Sequence, residues 1–216
     1  MRALKSQVQM LSVLRSARLA GINHVETAPA YGPAETFLGQ ALRQLDREDS
    51  TPAEGNWIIT SKLLPGQPLD QARRALEASL KRLSRPSLDN LAIHGLNLDS
   101  HLDWALHGEG ARLIEWALNS GTVGQVGFSS HGSKALIHEA IDSQLFRFCC
   151  LHLHLLDPTR MPLAQLALQQ TMGVLAISPA ALDIQQPHRC ASGPPGVVMA
   201  PIPVPEHAGS WPALCA

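Results

Sequence analysis

The sequence predicts an α/β chain folded as an incomplete (β/α)8 TIM barrel, with about six strands visible. Three observations carry that expectation. Six short apolar runs end near residues 26, 61, 93, 128, 153 and 177, stepping by 35, 32, 35, 25 and 24 residues. Each run is separated from the next by a segment of helical periodicity, and strands this apolar belong in a parallel sheet covered by helices. No Gly-rich GxGxxG stretch follows any strand, which disfavours a doubly wound dinucleotide fold. With 216 residues, 45% of them apolar and 16% charged, the chain can bury one such core.

The elements follow in order. Val8, Leu11, Leu14 and Ala17 recur at three-residue steps and Gly21 follows as a stop signal, predicting a helix over 5–19. Residues 22–25 read as a strand. Pro33 suits a first helical position with Glu35 in the first turn, near the positive end of the helix dipole. That helix carries Phe37, Leu38, Ala41, Leu42 and Leu45. The β-rich run 57–60 leads to Lys62. Leu69, Ala72, Leu76, Leu80 and Leu83 then stripe a helix over 68–84. Its other face holds Arg73, Arg74, Lys81 and Arg82, with Arg85 just beyond; this run reads as a solvated helix surface in preference to a phosphate-binding face. Strands are expected over 88–93, 123–128, 148–153 and 174–177. Helices are expected over 98–119, 134–142 and 162–171.

The first and eighth barrel strands are expected to be missing. Before residue 22 there is room for one helix and no strand. Residues 180–216 hold seven of the 16 prolines and only three charges, Asp183, Arg189 and Glu206. Proline at that density supplies neither a central strand nor a long helix. The chain therefore divides into a barrel portion, 1–179, and an irregular, disordered tail, 180–216. An open arc also leaves two sheet edges, which favour self-association.

Composition excludes several function classes. Lys+Arg 17 against Asp+Glu 18 gives a net charge of −1, without the basic field of a general nucleic-acid binder. No apolar run approaches the ~20 residues of a membrane span. Residues 1–25 lack acids and carry Arg2, Lys5, Arg15 and Arg18 until Glu26; an ordinary first helix is preferred over a transit peptide, and Arg15 and Arg18 interrupt any secretory signal. Cys149, Cys150, Cys190 and Cys215 show no CxxC spacing, so a reducing, cytoplasmic setting is expected.

In barrels of this kind, chemistry sits at the C-terminal ends of strands. Those positions hold Glu26 with Tyr31 just after, then Lys62, His94, Ser129 with Ser130, and His152 or His154. Tyr31 is the only tyrosine and Lys62 one of four lysines. A carboxylate, a phenol, an ammonium and an imidazole on successive strands would converge on one mouth.

The local sequence is more specific than the spacing. Gly21-Ile22-Asn23-His24-Val25-Glu26-Thr27-Ala28-Pro29-Ala30-Tyr31-Gly32, followed by Glu35 and Leu38-Gly39, resembles the signature of the aldo-keto reductases. Lys62 after Ile58-Ile59-Thr60-Ser61 looks like that family's lysine strand, and Asp89-Asn90-Leu91-Ala92-Ile93-His94 like its histidine strand. Gly124-Gln125-Val126-Gly127-Phe128-Ser129-Ser130 is similar to its fifth-strand motif. The resemblance covers roughly residues 8–179. It implies an NADP(H)-dependent reductase of small-molecule carbonyls, with Tyr31 as proton donor, Lys62 as its electrostatic partner, His94 orienting the carbonyl oxygen and Glu26 holding Lys62. A phenol with pKa near ~10 is a poor acid at neutrality, so an adjacent ammonium is needed to favour phenolate. Ser129 and Ser130 would contact the nicotinamide carboxamide, and Ile177 would lie against its ring.

Three departures qualify the resemblance. Position 26 is usually aspartate in the family, and glutamate adds a methylene that shifts or tilts Lys62. Ile177 stands where many members place a tyrosine, offering no comparable π face. The tail does not resemble the family's adenosine-phosphate segment, so cofactor binding would be lost if nothing else supplied it. The sequence reads as a truncated or frame-disrupted descendant of a longer reductase. The alternative to a working oxidoreductase is a catalytically inactive fragment or binding protein that keeps the family fold. A metal-dependent hydrolase built on His152 and His154 is the third reading; no carboxylate set accompanies them, so no metal site is expected. Cys149 and Cys150 read as core thiols and His24 as a satisfied core or interface histidine.

Overall fold

The computed structural model describes residues 6–48, 57–153 and 157–177. The tail assigned to 180–216, and His154, lie outside the described residues. Among those described, six parallel strands form one sheet in strict chain order: β1 His24–Glu26, β2 Ile58–Leu63, β3 Leu88–His94, β4 Val123–Ser130, β5 Phe148–His152 and β6 Gly173–Ile177. Seven helices accompany them: α1 Gln7–Leu19, α2 Ala34–Glu48, α3 Leu69–Leu83, α4 Asp99–Leu106, α5 Glu109–Asn119, α6 Lys134–Asp142 and α7 Met161–Gln169. Every strand-to-strand connection crosses through helix, as parallel pairing requires. The result is a curled half-barrel, six strand–helix units of a (β/α)8 fold.

Strand alternation divides the core in two. Leu91, Ile93, Val126, Phe128, Cys149 and Leu151 join helix residues such as Leu76, Leu113, Ile137 and Leu163 in the larger buried cluster. Their neighbours Ala92, Phe148, Cys150 and Leu175 form a smaller cluster on the inner face, with Ile177 packed against it. Cys149 and Cys150 thus face opposite layers. Burial pushes both thiols up to about 12, so both remain protonated core groups at neutrality. A polar line also crosses the inner face: buried His24 bonds Thr60 Oγ1 through Nε2 at 2.7 Å, and Asn90 Nδ2 donates to the same oxygen at 3.1 Å.

Several boundaries differ from expectation for local reasons. Ser6 caps α1 through its hydroxyl, which accepts from Gln9 N. Ile22 still belongs to the turn that closes α1, its N–H bonded to Ala17 O, so β1 begins at His24. The helix expected over 98–119 is two helices. Gly108 takes an extended conformation and its N–H turns back to Asp103 O; glycine at that point gives a helix little reason to continue. The basic run on α3 is also less solvated than expected. Arg82 pairs with Glu35, Arg85 just beyond pairs with Asp46, and the Arg73 guanidinium lies 4.5 Å from the Trp116 ring centroid.

The tightest helix contact is α2 on α3. A Cβ on Gly39 would fall 2.2 Å from the Arg82 carbonyl oxygen, so only glycine allows these backbones to approach so closely. This contact fixes the position of α2, and with it the turn that carries Tyr31.

Candidate active site

The register of the sheet decides which strand-end residues share the inner face. Glu26 lies opposite Thr60, Lys62 opposite Ala92, His94 opposite Ser129, Ser129 opposite Cys150, and His152 opposite Ile177. Glu26, Lys62, His94, Ser129, His152 and Ile177 therefore all face inward at the C-terminal rim. Tyr31 is brought to the same rim by a single 3-10 turn, Pro29–Tyr31, directly after β1. Gly32 follows with φ +65, a left-handed value that sends the chain from this turn into α2.

At the centre stands the Lys62 ammonium, almost fully buried. It donates to the Tyr31 phenol at 2.9 Å and to the Thr27 carbonyl at 3.3 Å, and it is ion-paired with Glu26 Oε1. An ammonium has three N–H donors, and three acceptors surround this one. Burial pushes Lys62 down to about 8 from its ordinary 10.5. The Tyr31 phenol is the acceptor in its bond with Lys62, which keeps its own O–H as a donor. The His94 ring meets it edge-on, with centroids 5.9 Å apart and planes at 88°. Phenol, amine and imidazole thus form one contiguous cluster. Such an arrangement can hold a proton at the phenol oxygen, release it to an incoming oxyanion, and stabilise the phenolate left behind.

Residues 4–179 match the model of the aldo/keto reductase family. The chain belongs to that family. Solved structures agree in fold. An aldo/keto reductase from Klebsiella pneumoniae in complex with NADP and acetate is 25% identical, with a TM-score of 0.67 over 86% of this chain and 64% of that one. One from Brucella melitensis is 23% identical, with a TM-score of 0.64 over 84% and 67%. The holo form of a Bacillus halodurans aldo-keto reductase is 18% identical, with a TM-score of 0.69 over 91% and 65%. Another Klebsiella pneumoniae structure is a complex with NADPH. The chain spans about two thirds of the length of these structures. No curated protein sequence matches it.

Within this aldo/keto reductase chain, the structure brings Glu26, Tyr31, Lys62 and His94 together and separates the two serines. Ser129 faces the mouth, its Oγ accepting from Gly95 N at 3.0 Å. Ser130 faces the helical layer, is fully buried, and donates to the Leu96 carbonyl at 2.5 Å. Adjacent residues on a strand point to opposite faces, so both cannot line one mouth. β5 ends at His152, whose ring lies 5.9 Å from that of His131 on the loop after β4. Among the described residues, no three His, Cys, Asp or Glu side chains converge as a metal site, and no helix is long and apolar enough to cross a membrane.

Sequence reasoning missed two supports of the rim. Arg160 donates to the carbonyls of Ser130, His131 and Gly132, fastening the loop after β4. Asn97 Oδ1 accepts from His131 N at 2.7 Å on the same loop. Only the Asp157-Pro158 turn that presents Arg160 offered a local signal.

Proposed function

We propose that this chain is the catalytic portion of an NADP(H)-dependent oxidoreductase that reduces a small-molecule carbonyl to an alcohol. The observation that carries the reading is the 2.9 Å bond from the buried Lys62 ammonium to the only tyrosine in the chain, with His94 edge-on beside it. In this reading a bound NADPH would supply hydride chemistry, with Ser129 and Ile177 the residues that would hold its nicotinamide end. Tyr31 delivers the accompanying proton to the carbonyl oxygen, so that hydride and proton together convert C=O to CH–OH. Lys62 stabilises the phenolate that remains, Glu26 holds the ammonium against Tyr31, and His94 orients the carbonyl oxygen.

The residues present fit the nicotinamide end of that cofactor at two points. Ser129 Oγ accepts from Gly95 and retains its own proton for a carboxamide oxygen. Ile177, inward-facing and half-buried against Phe148, Cys150 and Leu175, offers an apolar wall. Ser130 is turned the wrong way for such a contact. NADP and NADPH complexes among the structural neighbours support the choice of cofactor.

The test is fluorescence titration with NADPH, followed by NADPH consumption with a panel of aldehydes and ketones. Binding, turnover, and loss of turnover with retained binding in Tyr31→Phe are expected. No binding at millimolar NADPH would reject the enzyme reading for this chain. It would favour the second reading, a non-catalytic member keeping the family fold.

A further inference from the structure

The reductase reading uses Tyr31 and Lys62 but leaves unexplained a fully buried carboxylate nearby. Glu35 lies in the first turn of α2, four residues after Tyr31, and is 0% exposed. Its Oε1 accepts from Ser61 Oγ at 2.6 Å, and its Oε2 accepts from Arg82 Nε at 2.7 Å and Ser79 Oγ at 3.4 Å. Arg82 Nη2 closes the ring by donating to Ser79 Oγ at 3.0 Å. Ser61 is the residue immediately before Lys62, and its hydroxyl points to the helical layer while Lys62 points to the mouth. One carboxylate therefore joins the start of α2, which follows the phenol's turn, to the strand that carries the ammonium and to the last turns of α3.

We infer that Glu35 is a positioning residue: through Ser61 it holds Tyr31 and Lys62 at hydrogen-bonding distance, and so keeps the phenol acidic in the reaction proposed above. This rests on the reductase reading. Two features argue for positioning over simple support. Close backbone contact at Gly39 and a second α2–α3 ion pair, Arg85 with Asp46 at 2.7 Å, already dock these helices. Neither touches β2. The Glu35–Ser61 bond joins the start of α2 directly to the strand position next to Lys62, and an error of ~1 Å between acid and partner can cost on the order of 100-fold in rate.

Because Tyr31 is the sole tyrosine, the near-ultraviolet absorbance of tyrosinate reads its ionisation in the intact chain without cofactor or substrate. The variants are Ser61→Ala, which cuts the link and leaves the Glu35–Arg82 pair; Glu35→Gln, which removes the charge; and Asp46→Asn, which loosens α2 against α3 elsewhere. Circular dichroism confirms that each is folded. The sign separates mechanisms. Deleting a nearby carboxylate by its field alone lowers a phenol's pKa, whereas losing the Lys62 contact raises it. Expected is a Tyr31 midpoint raised by about half a unit or more in Ser61→Ala and Glu35→Gln, with Asp46→Asn unchanged. A low wild-type midpoint that stays put or falls in both variants, or moves equally in Asp46→Asn, overturns the positioning role alone. A wild-type midpoint at the ordinary phenol value overturns the reductase reading and this inference together. If Glu35→Gln does not fold, Ser61→Ala decides.

Discussion

Replacing Lys62 with methionine tests the central pair most directly. The ammonium sits 2.9 Å from the phenol oxygen, and at an effective dielectric of about 20 a full charge at that distance contributes about 6 kcal/mol to phenolate. Tyr31 is only half-buried, so solvent screens part of this. The two groups titrate as a pair. Burial brings Lys62 down to about 8, so one proton leaves the pair in that region.

The tyrosinate absorbance shows whether that proton comes from oxygen or nitrogen. If the ammonium stabilises phenolate as the geometry requires, absorbance rises at a lower pH in the wild type than in Lys62→Met. In Lys62→Met it rises only near or above ~10, because the stabilising charge is gone. A wild-type step at the ordinary phenol value, unmoved by Lys62→Met, would show that the short Lys62–Tyr31 bond does not tune the phenol, and the proton-donor role would fail with it.

Four further outcomes are expected. Glu26→Gln moves the same first step down by about one unit, the opposite direction from Lys62→Met, because the carboxylate holds the proton on Lys62; an upward shift contradicts this. Gly39→Ala drives a methyl into the Arg82 and Leu83 backbone, and overpacking of this kind costs about 1–3 kcal/mol or more; an unchanged melting temperature refutes the contact. Stability peaks near pH 9 in denaturant titrations. Lys62 binds fewer protons folded than unfolded between about 8 and 10.5, so stability rises there, while Cys149 and Cys150, raised from 9.0 to about 12, bind more and reverse the rise above 9.0. The gain from Lys62 between pH 8 and 9 is largely offset by the two thiols, leaving a net rise of a few tenths of a kcal/mol, and a steady fall across that range refutes it. Finally, β1 and β6 are the outer strands of the described sheet, and concentration-dependent association is expected by light scattering; a constant monomer mass speaks against edge pairing.

The six strands and most helices were legible because apolar runs and three-residue periodicity encode burial directly. What stayed hidden depended on contacts distant in sequence. Nothing around Gly108 announced that the chain would turn back on Asp103, since the apolar pattern continues on both sides. Arg82 looked like one charge among five on a wet face; only the fold shows that Glu35, 47 residues earlier, is buried beneath it. Ser129 and Ser130 are the opposite case, because strand alternation alone assigns them to different faces.

The rim was legible because its chemistry uses scarce residues at strand ends. Its tolerance of glutamate at position 26 was not. Sequence reasoning expects the extra methylene to shift or tilt Lys62. In the structure β1 has only three residues and ends at Glu26, so the longer side chain reaches Lys62 from the last strand position. Lys62 meanwhile keeps the Thr27 carbonyl and the phenol as its other acceptors. The phenol bond stands at 2.9 Å with Glu26 ion-paired to the same ammonium. The strand, fastened through Ser61 to Glu35, does not have to move. A buried ammonium loses several kcal/mol of hydration, and this loss is tolerable only where all three of its protons are met. The same three contacts that make Lys62 stable in the fold are therefore the ones that aim it at Tyr31.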